Sequence, residues 1–385
     1  MRRPLALIAC LIALASWPAV AGAAEPTTAP LALYGLSGEE TRLARLDPLT
    51  LAPREPQTVM PEWHDGYSFS PDGRHAAFTV STNGSPFTPG SGRVGMRVID
   101  LTTLATAVDF RLGVAASAIG WLAPRRIIAK TQGAQIVVAD PQTGGFRTTD
   151  RAVGPGCIDP PGKAVSRRHL VFLLGSTLNA VDRDGKRRHV RIRGMSNVCS
   201  RLGLAVDRAR ELAYVTGLGR EVAVVSLRTM RVTYRRVDPS RASRVAYTRA
   251  ELFGAFQVVA QHVNSRGMPK GVELVDFLGN TRLMLDPRAG GARPAGSRVL
   301  TYDGRLPVSP GGSKGIRAYD ATGRLRYRTL TGEVVHRLEV LGQFAYAQTR
   351  GGLRVIDHHT GRVVSRSAFD PNLEVDFVLP ERAGR

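Results

Sequence analysis

Leu353-Arg-Val-Ile-Asp357-His-His-Thr-Gly-Arg362 reads as an alternating strand, an Asp, a turn containing Gly, and the start of a basic return strand. In such a turn the Asp carboxylate accepts backbone N–H groups and Gly takes the positive φ. Equivalent units put their Asp at Asp47, Asp100, Asp140, Asp182, Asp276, Asp320 and Asp357, with Ser226 in one matching place, a mean spacing of about 44 residues. A unit of that length cannot bury its own apolar face and must stack against its neighbours. Other short apolar segments, such as His75 to Val80 and Leu170 to Leu174, fall within each period between Gly, Pro, Asp and Asn. Four short antiparallel strands per period is the plan of a β-propeller blade. Helical repeats would need amphipathic runs of roughly 10 to 15 residues, which the frequent Val, Thr, Gly and Pro disfavour here.

The expected fold is all-β: a single β-propeller of eight four-stranded blades. Seven blades is the alternative if the unit around Ala250 to Gly290 is an insertion. The chain ends supply the closure. Only one candidate strand, Leu31 to Leu36, precedes the first Asp unit, whereas Leu373 to Leu379 follows the last return strand. Pairing that C-terminal strand with the first blade completes the ring and hides two sheet edges.

Tyr67-Ser-Phe69-Ser70-Pro71-Asp72-Gly73-Arg74-His-Ala-Ala-Phe78 resembles the Ser-Pro-Asp-Gly-Arg hairpin of extracytoplasmic bacterial propellers, the group with TolB-like and YVTN-type repeats. Ala205-Val-Asp207-Arg-Ala-Arg-Glu-Leu212-Ala-Tyr214 is a degenerate copy. Val98-Ile-Asp100-Leu-Thr, Val138-Ala-Asp140-Pro-Gln-Thr-Gly144 and Ile356-Asp357-His-His-Thr-Gly361 are similar to the YVTN side. As a period the resemblance spans residues 31 to 379, but it is sharp over these segments only. It implies a propeller and carries no chemistry, because the shared residues specify turns.

At the N-terminus Arg2 and Arg3 precede an apolar run from Leu5 to Ala15, Pro18 breaks it, and Ala21-Gly22-Ala23 offers small residues for a signal peptidase. Residues 1–23 are expected to be a cleaved export signal and residues 24–385 the propeller, extracellular or periplasmic and monomeric. The run is about half of the roughly 20 residues that a spanning helix needs. The formal charge is +21 for the whole chain, or +19 without Arg2 and Arg3. Such a charge favours anionic partners and says nothing about fold; Arg-rich composition alone is the other source of it.

Cys157 and Cys199 are the only cysteines after residue 23, about one blade apart. Cys157 lies 15 residues before Phe172 and Cys199 lies 15 before Tyr214, so matching places in adjacent blades, and a disulfide in an oxidising compartment, are expected. Trp63-His64-Asp65 leads into a blade and is a candidate contact at the channel mouth. The Pro- and Gly-rich stretch 83–95 reads as a long surface loop. His358-His359 are neighbours in a turn, a poor arrangement for chelating one metal. Asp182-Arg-Asp184-Gly185-Lys186 lacks the further oxygen ligands of a calcium loop and is followed by arginines. Gly311-Gly312-Ser-Lys314-Gly315 lacks the spacing of a phosphate-binding loop. No cofactor, metal site or catalytic residue is therefore expected.

In Arg187-Arg-His189-Val-Arg191-Ile-Arg193 alternate positions present polar groups on one face, with Val190 and Ile192 on the other. Arg324-Leu-Arg326-Tyr-Arg328 repeats the device. Such charges guard an exposed strand edge or form an anion-binding rim. The expected function is a noncatalytic module binding a protein or small-molecule ligand, without specific nucleic-acid binding. The alternatives are a quinoprotein-, lactonase- or lyase-like enzyme with its site in the channel, and association with an anionic wall polymer or membrane surface through the rim.

Overall fold

The computed structural model describes residues 30–378 apart from 37–40, 61–65, 82–93, 155–162, 195–202, 219–220, 237–245, 255–256, 264–268, 277–280, 305–313 and 368–372. Among the described residues every regular element is a β-strand, and the strands form eight four-stranded antiparallel sheets.

Blade 1 holds β1 (Leu31–Leu36), β2 (Thr41–Leu46) and β3 (Pro53–Met60), completed by β32 (Leu373–Val378) on the inner edge. Blade 2 runs from inside outward as β4 (Tyr67–Phe69), β5 (His75–Ser81), β6 (Val94–Asp100) and β7 (Thr106–Arg111). Blade 3 has β8 (Ala116–Ala123), β9 (Arg126–Thr131), β10 (Gln135–Ala139) and β11 (Phe146–Arg151). Blade 4 has β12 (Lys163–Val165), β13 (His169–Leu174), β14 (Thr177–Asp182) and β15 (Arg187–Arg191). Blade 5 has β16 (Gly203–Asp207), β17 (Leu212–Leu218), β18 (Glu221–Ser226) and β19 (Val232–Arg236). Blade 6 has β20 (Ala246–Phe253), β21 (Gln257–Val263), β22 (Pro269–Asp276) and β23 (Thr281–Asp286). Blade 7 has β24 (Gly291–Ala295), β25 (Arg298–Tyr302), β26 (Ile316–Asp320) and β27 (Leu325–Thr329). Blade 8 has β28 (Val335–Leu341), β29 (Phe344–Thr349), β30 (Gly352–Asp357) and β31 (Val363–Ser367). The unit around Ala250 to Gly290 is thus a blade, and the ring has eight.

Closure follows the expected route. β32 pairs antiparallel with β1 from Leu31↔Val378 to Leu36↔Leu373. The apolar core is divided among the seams between blades. Ala77, Met96 and Val98 of blade 2 pack on Ile127 and Ala129 of blade 3, Val171 and Leu173 of blade 4 on Ala213 and Val215 of blade 5, and Phe344 and Tyr346 of blade 8 on Ala32, Leu46 and Leu51 of blade 1. That last seam joins the two ends of the array, so stacking and strand pairing close the ring together.

The Asp turns join the third and outermost strands. Asp357 Oδ1 accepts the N–H groups of His359 at 2.8 Å and Thr360 at 3.0 Å, and Asp100 Oδ1 those of Thr102 at 2.7 Å and Thr103 at 3.0 Å. Four residues past the Asp, or past Ser226, the backbone is left-handed at Leu51, Leu104, Gly144, Met230 and Gly361. Gly fits there without strain, but Leu51 and Leu104 do not; both are fully buried between blades, and that burial offsets the backbone cost.

One expected equivalence is corrected. Asp182 pairs with His169 in blade 4 and Ser226 with Leu212 in blade 5, so Phe172 stands three residues along its strand and Tyr214 only two. A slip of one residue reverses the side-chain face. Phe172 accordingly packs toward blade 3 and Tyr214 toward blade 6.

Candidate functional site

Inner strands line the axis of such a ring, and one charged residue from each of blades 6, 7 and 8 meets the others there. Arg293 on β24 is held between Glu251 on β20 and Glu339 on β28. Its Nε and Nη2 donate to Glu339 Oε2 and Oε1 at 2.9 and 2.7 Å, a bidentate pair, and its Nη1 donates to Glu251 Oε1 at 2.6 Å. The guanidinium is largely buried and the two carboxylates partly so. Burial opposes its charge, but Glu251 and Glu339 outweigh that and hold Arg293 well above the ordinary arginine pKa. One side chain thus ties three blades at the axis with its donors satisfied. A further buried pair lies at the seam of blades 6 and 7, where Asp286 Oδ2 accepts from Arg317 Nη1 at 2.9 Å and from the Thr301 hydroxyl at 3.0 Å.

On the opposite arc, Lys163 of β12 reaches toward the start of blade 2: a Cβ at Gly66 would stand 2.3 Å from its Nζ and 3.9 Å from Ile119 Cγ2. Lys130 on β9 is fully buried, donating to Ser117 Oγ at 2.8 Å. Ser166, His169 and Glu211 form a buried group at the seam of blades 4 and 5. Ser166 Oγ donates to Glu211 Oε2 at 3.0 Å, and His169 Nδ1 is 3.3 Å from the same oxygen. The residue types are those of a hydrolytic triad but the geometry is not. Ser166 and Glu211 both face the one nitrogen Nδ1, so His169 cannot relay a proton between them. The group instead fastens the Ser166–His169 turn to the next blade, with Arg167 N–H on Glu211 Oε1 at 3.0 Å.

No protein-family model matches the chain, and no curated protein matches it in sequence. Solved structures do match. BamB from Moraxella catarrhalis superposes with a TM-score of 0.52 at 14% identity, over 86% of this chain and 98% of that one. The chain is a β-propeller repeat protein. The computationally designed protein Ika8 matches with a TM-score of 0.49 at 12% identity, over 86% of this chain and 97% of that one. The Pan2 WD40 domain of Neurospora crassa matches at 0.42 and 12%, over 69% and 80%. At such identities the likeness concerns the fold.

Within this propeller the residues singled out from sequence are scattered. Cys157, Cys199, Trp63, His64, Asp65 and the loop residues 83–93 lie outside the described residues. Arg187 and Arg191 are on β15, the outermost strand of blade 4, with Arg193 just beyond it; Arg326 and Arg328 are on β27, the outermost strand of blade 7, with Arg324 just before it. Three blade steps separate the two sets, so they are two patches rather than one. Arg326 is paired with Asp320 at 2.6 Å; Arg193 lies over the Tyr234 ring at 4.0 Å and stands 3.8 Å from Glu221 Oε1. His358 and His359 have ring centroids 4.2 Å apart, yet His358 is buried with Nε2 on the Gly342 carbonyl at 2.9 Å. Sequence reasoning missed Glu251, Arg293 and Glu339. Their signal was a charge at roughly blade spacing in each of three segments that precede an apolar second strand.

Proposed function

We propose that the chain is an exported, noncatalytic, monomeric propeller that recognises a partner protein through the loops around one mouth of its channel. The observation that carries this is the Glu251–Arg293–Glu339 tie: these three charged side chains on the inner strands of blades 6 to 8 are spent on one another in holding the ring. Recognition then falls to the segments that the repeats do not share, namely Trp63-His64-Asp65 and the 83–95 loop. A photo-crosslinking residue placed at Trp63 or at position 88, in cells expressing the full chain, tests it. The expected result is one discrete protein adduct from each position and none from a probe at Val364 on β31. Adducts equally from all three positions, or from none, overturn it. Intact mass of the released chain checks export, with loss of residues 1–23 expected.

A further inference from the structure

The arginines are not evenly shared around the ring. The outermost strands β11, β15 and β19 of the consecutive blades 3, 4 and 5 carry Arg147, Arg151, Arg187, Arg188, Arg191, Arg235 and Arg236 against a single carboxylate, Asp150. The outermost strands of blades 1, 2 and 6 are balanced, one base to one acid, and those of blades 7 and 8 carry only Arg326, Arg328 and Arg366. Exposed Arg183 lies in the β14–β15 hairpin, 3.9 Å from Asp184 Oδ2, and exposed Arg167 and Arg168 lie in the β12–β13 hairpin on the inner side of blade 4.

The way these side chains are held differs as well. Two outer-strand arginines on other blades are neutralised, Arg54 by Asp47 and Arg326 by Asp320. Three in the arc are anchored instead by neutral carbonyls of the neighbouring blade. Arg147 Nη2 donates to the Asp184 carbonyl at 2.7 Å, Arg188 Nη1 to that of Arg228 at 2.5 Å, and Arg187 Nη1 to that of Arg151. A carbonyl fixes the rotamer without cancelling the charge, so the arc presents positioned guanidinium groups that keep their field.

We propose that this arc binds a linear acidic glycan, a sugar polymer bearing carboxylate or sulfate groups. Shape selects a chain over a flat bilayer: adjacent blades of an eight-membered ring are turned by about 45°, so the outward directions of β11 and β19 diverge by about 90°. A plane touches one of these strands well; a flexible polymer follows all three. Chemistry selects a glycan over single-stranded nucleic acid. Base stacking needs a run of exposed aromatic faces, and among the described side chains of these strands only Phe146 is an exposed aromatic, Tyr234 being half-covered beneath Arg193. The surface is separate from the channel-mouth loops, so this site and the protein partner can fail independently.

The test uses the purified chain and a heparin decasaccharide, with binding measured by calorimetry at about 50 and 200 mM salt. Wild type is expected to bind, and to weaken by more than about tenfold over that range through counterion release. The triple reversal Arg147→Glu, Arg191→Glu, Arg235→Glu, one on each outer strand, should weaken binding at least about tenfold. The control Arg324→Glu, Arg328→Glu, Arg362→Glu, with the same change of net charge on blades 7 and 8, should weaken it less than about threefold. Thermal unfolding of both variants verifies that they are folded. Equal losses in the two variants would reduce the effect to net charge, and no decasaccharide binding would remove the site; either overturns the proposal. So does tighter, arc-dependent binding to phosphatidylglycerol vesicles or to single-stranded DNA of matched charge, which would assign the arc to membrane or nucleic acid.

Discussion

The left-handed position four residues past Asp47 and Asp100 brings backbone strain and burial to a single residue. Leu51 adopts φ +60° with its N–H on the Asp47 carbonyl at 2.9 Å, and it is fully buried in the seam that closes the ring. Truncating it to Ala removes a buried side chain at a cost of about 2–4 kcal/mol and leaves a Cβ in a region that disfavours it by about 1–2 kcal/mol. Truncating to Gly loses the same packing but relieves the backbone. Urea unfolding should therefore find Leu51→Gly at least as stable as Leu51→Ala, although Gly costs more than Ala at most strand positions; Ala ahead by about 1 kcal/mol would refute the account. His358 poses a second question at this scale. Burial foremost, then the neighbouring His359, lowers its pKa below the ordinary 6.5, despite opposing contributions from the Gly342 carbonyl and Asp357. A histidine with a lowered folded-state pKa stabilises the fold above the unfolded value and loses that contribution as pH falls through the folded one. The stability gap between wild type and His358→Gln should thus narrow as pH is lowered from about 7.5 to 5 in a denaturation series. A gap constant over that range would mean that His358 titrates alike in both states.

Between elements, polar groups do what the apolar seams cannot, which is to fix one blade against a particular neighbour. Arg293 contacts both adjoining inner strands, and removing it leaves two carboxylates facing each other across β24. Arg293→Met should lower unfolding free energy by about 2–3 kcal/mol, below the usual cost of breaking a buried pair because Glu251 and Glu339 are partly solvated. Adding Glu251→Gln and Glu339→Gln to that variant should recover part of the loss. No recovery in the triple variant would show that the stem of Arg293, rather than its charge, supports the ring. The cysteine pair is an element-scale expectation too. Cys157 lies in the segment leading to β12 and Cys199 in the one leading to β16, so both belong to connectors into consecutive blades even though Phe172 and Tyr214 proved out of step. A disulfide there would close a loop of about 42 residues and stabilise the fold by roughly 4 kcal/mol at most. Peptide mass mapping without reductant should find the 157–199 cross-link; two freely alkylated thiols would exclude it.

For the whole molecule, what the sequence made legible was whatever recurs. Each blade needs its Asp or Ser turn, and turn chemistry is local, so Asp47 through Asp357 mark the blades from residue types alone. The axial tie and the basic arc are not local. Glu251, Arg293 and Glu339 come from three blades and acquire meaning only when the ring brings them together. Likewise Arg187 and Arg324 look alike in sequence, but only the first has a net positive outer strand on both flanking blades, since β23 beside blade 7 balances Arg282 with Asp286. Closure was legible because the chain begins with too few strands for a full blade and ends with one too many. Ending the chain at residue 371 removes β32, whose six residues pair with β1, and exposes the inner edge of blade 1 beside the seam to blade 8. An open array has two unprotected ends, where stacking is lost and a strand edge is free to recruit another copy. The truncated chain should form oligomers on size exclusion and unfold in a broad transition at lower denaturant. A peptide of residues 372–379 added in trans should partly restore the monomer by occupying the vacated edge. A truncated chain that stays monomeric with the wild-type midpoint would mean that apolar stacking alone holds the ring shut.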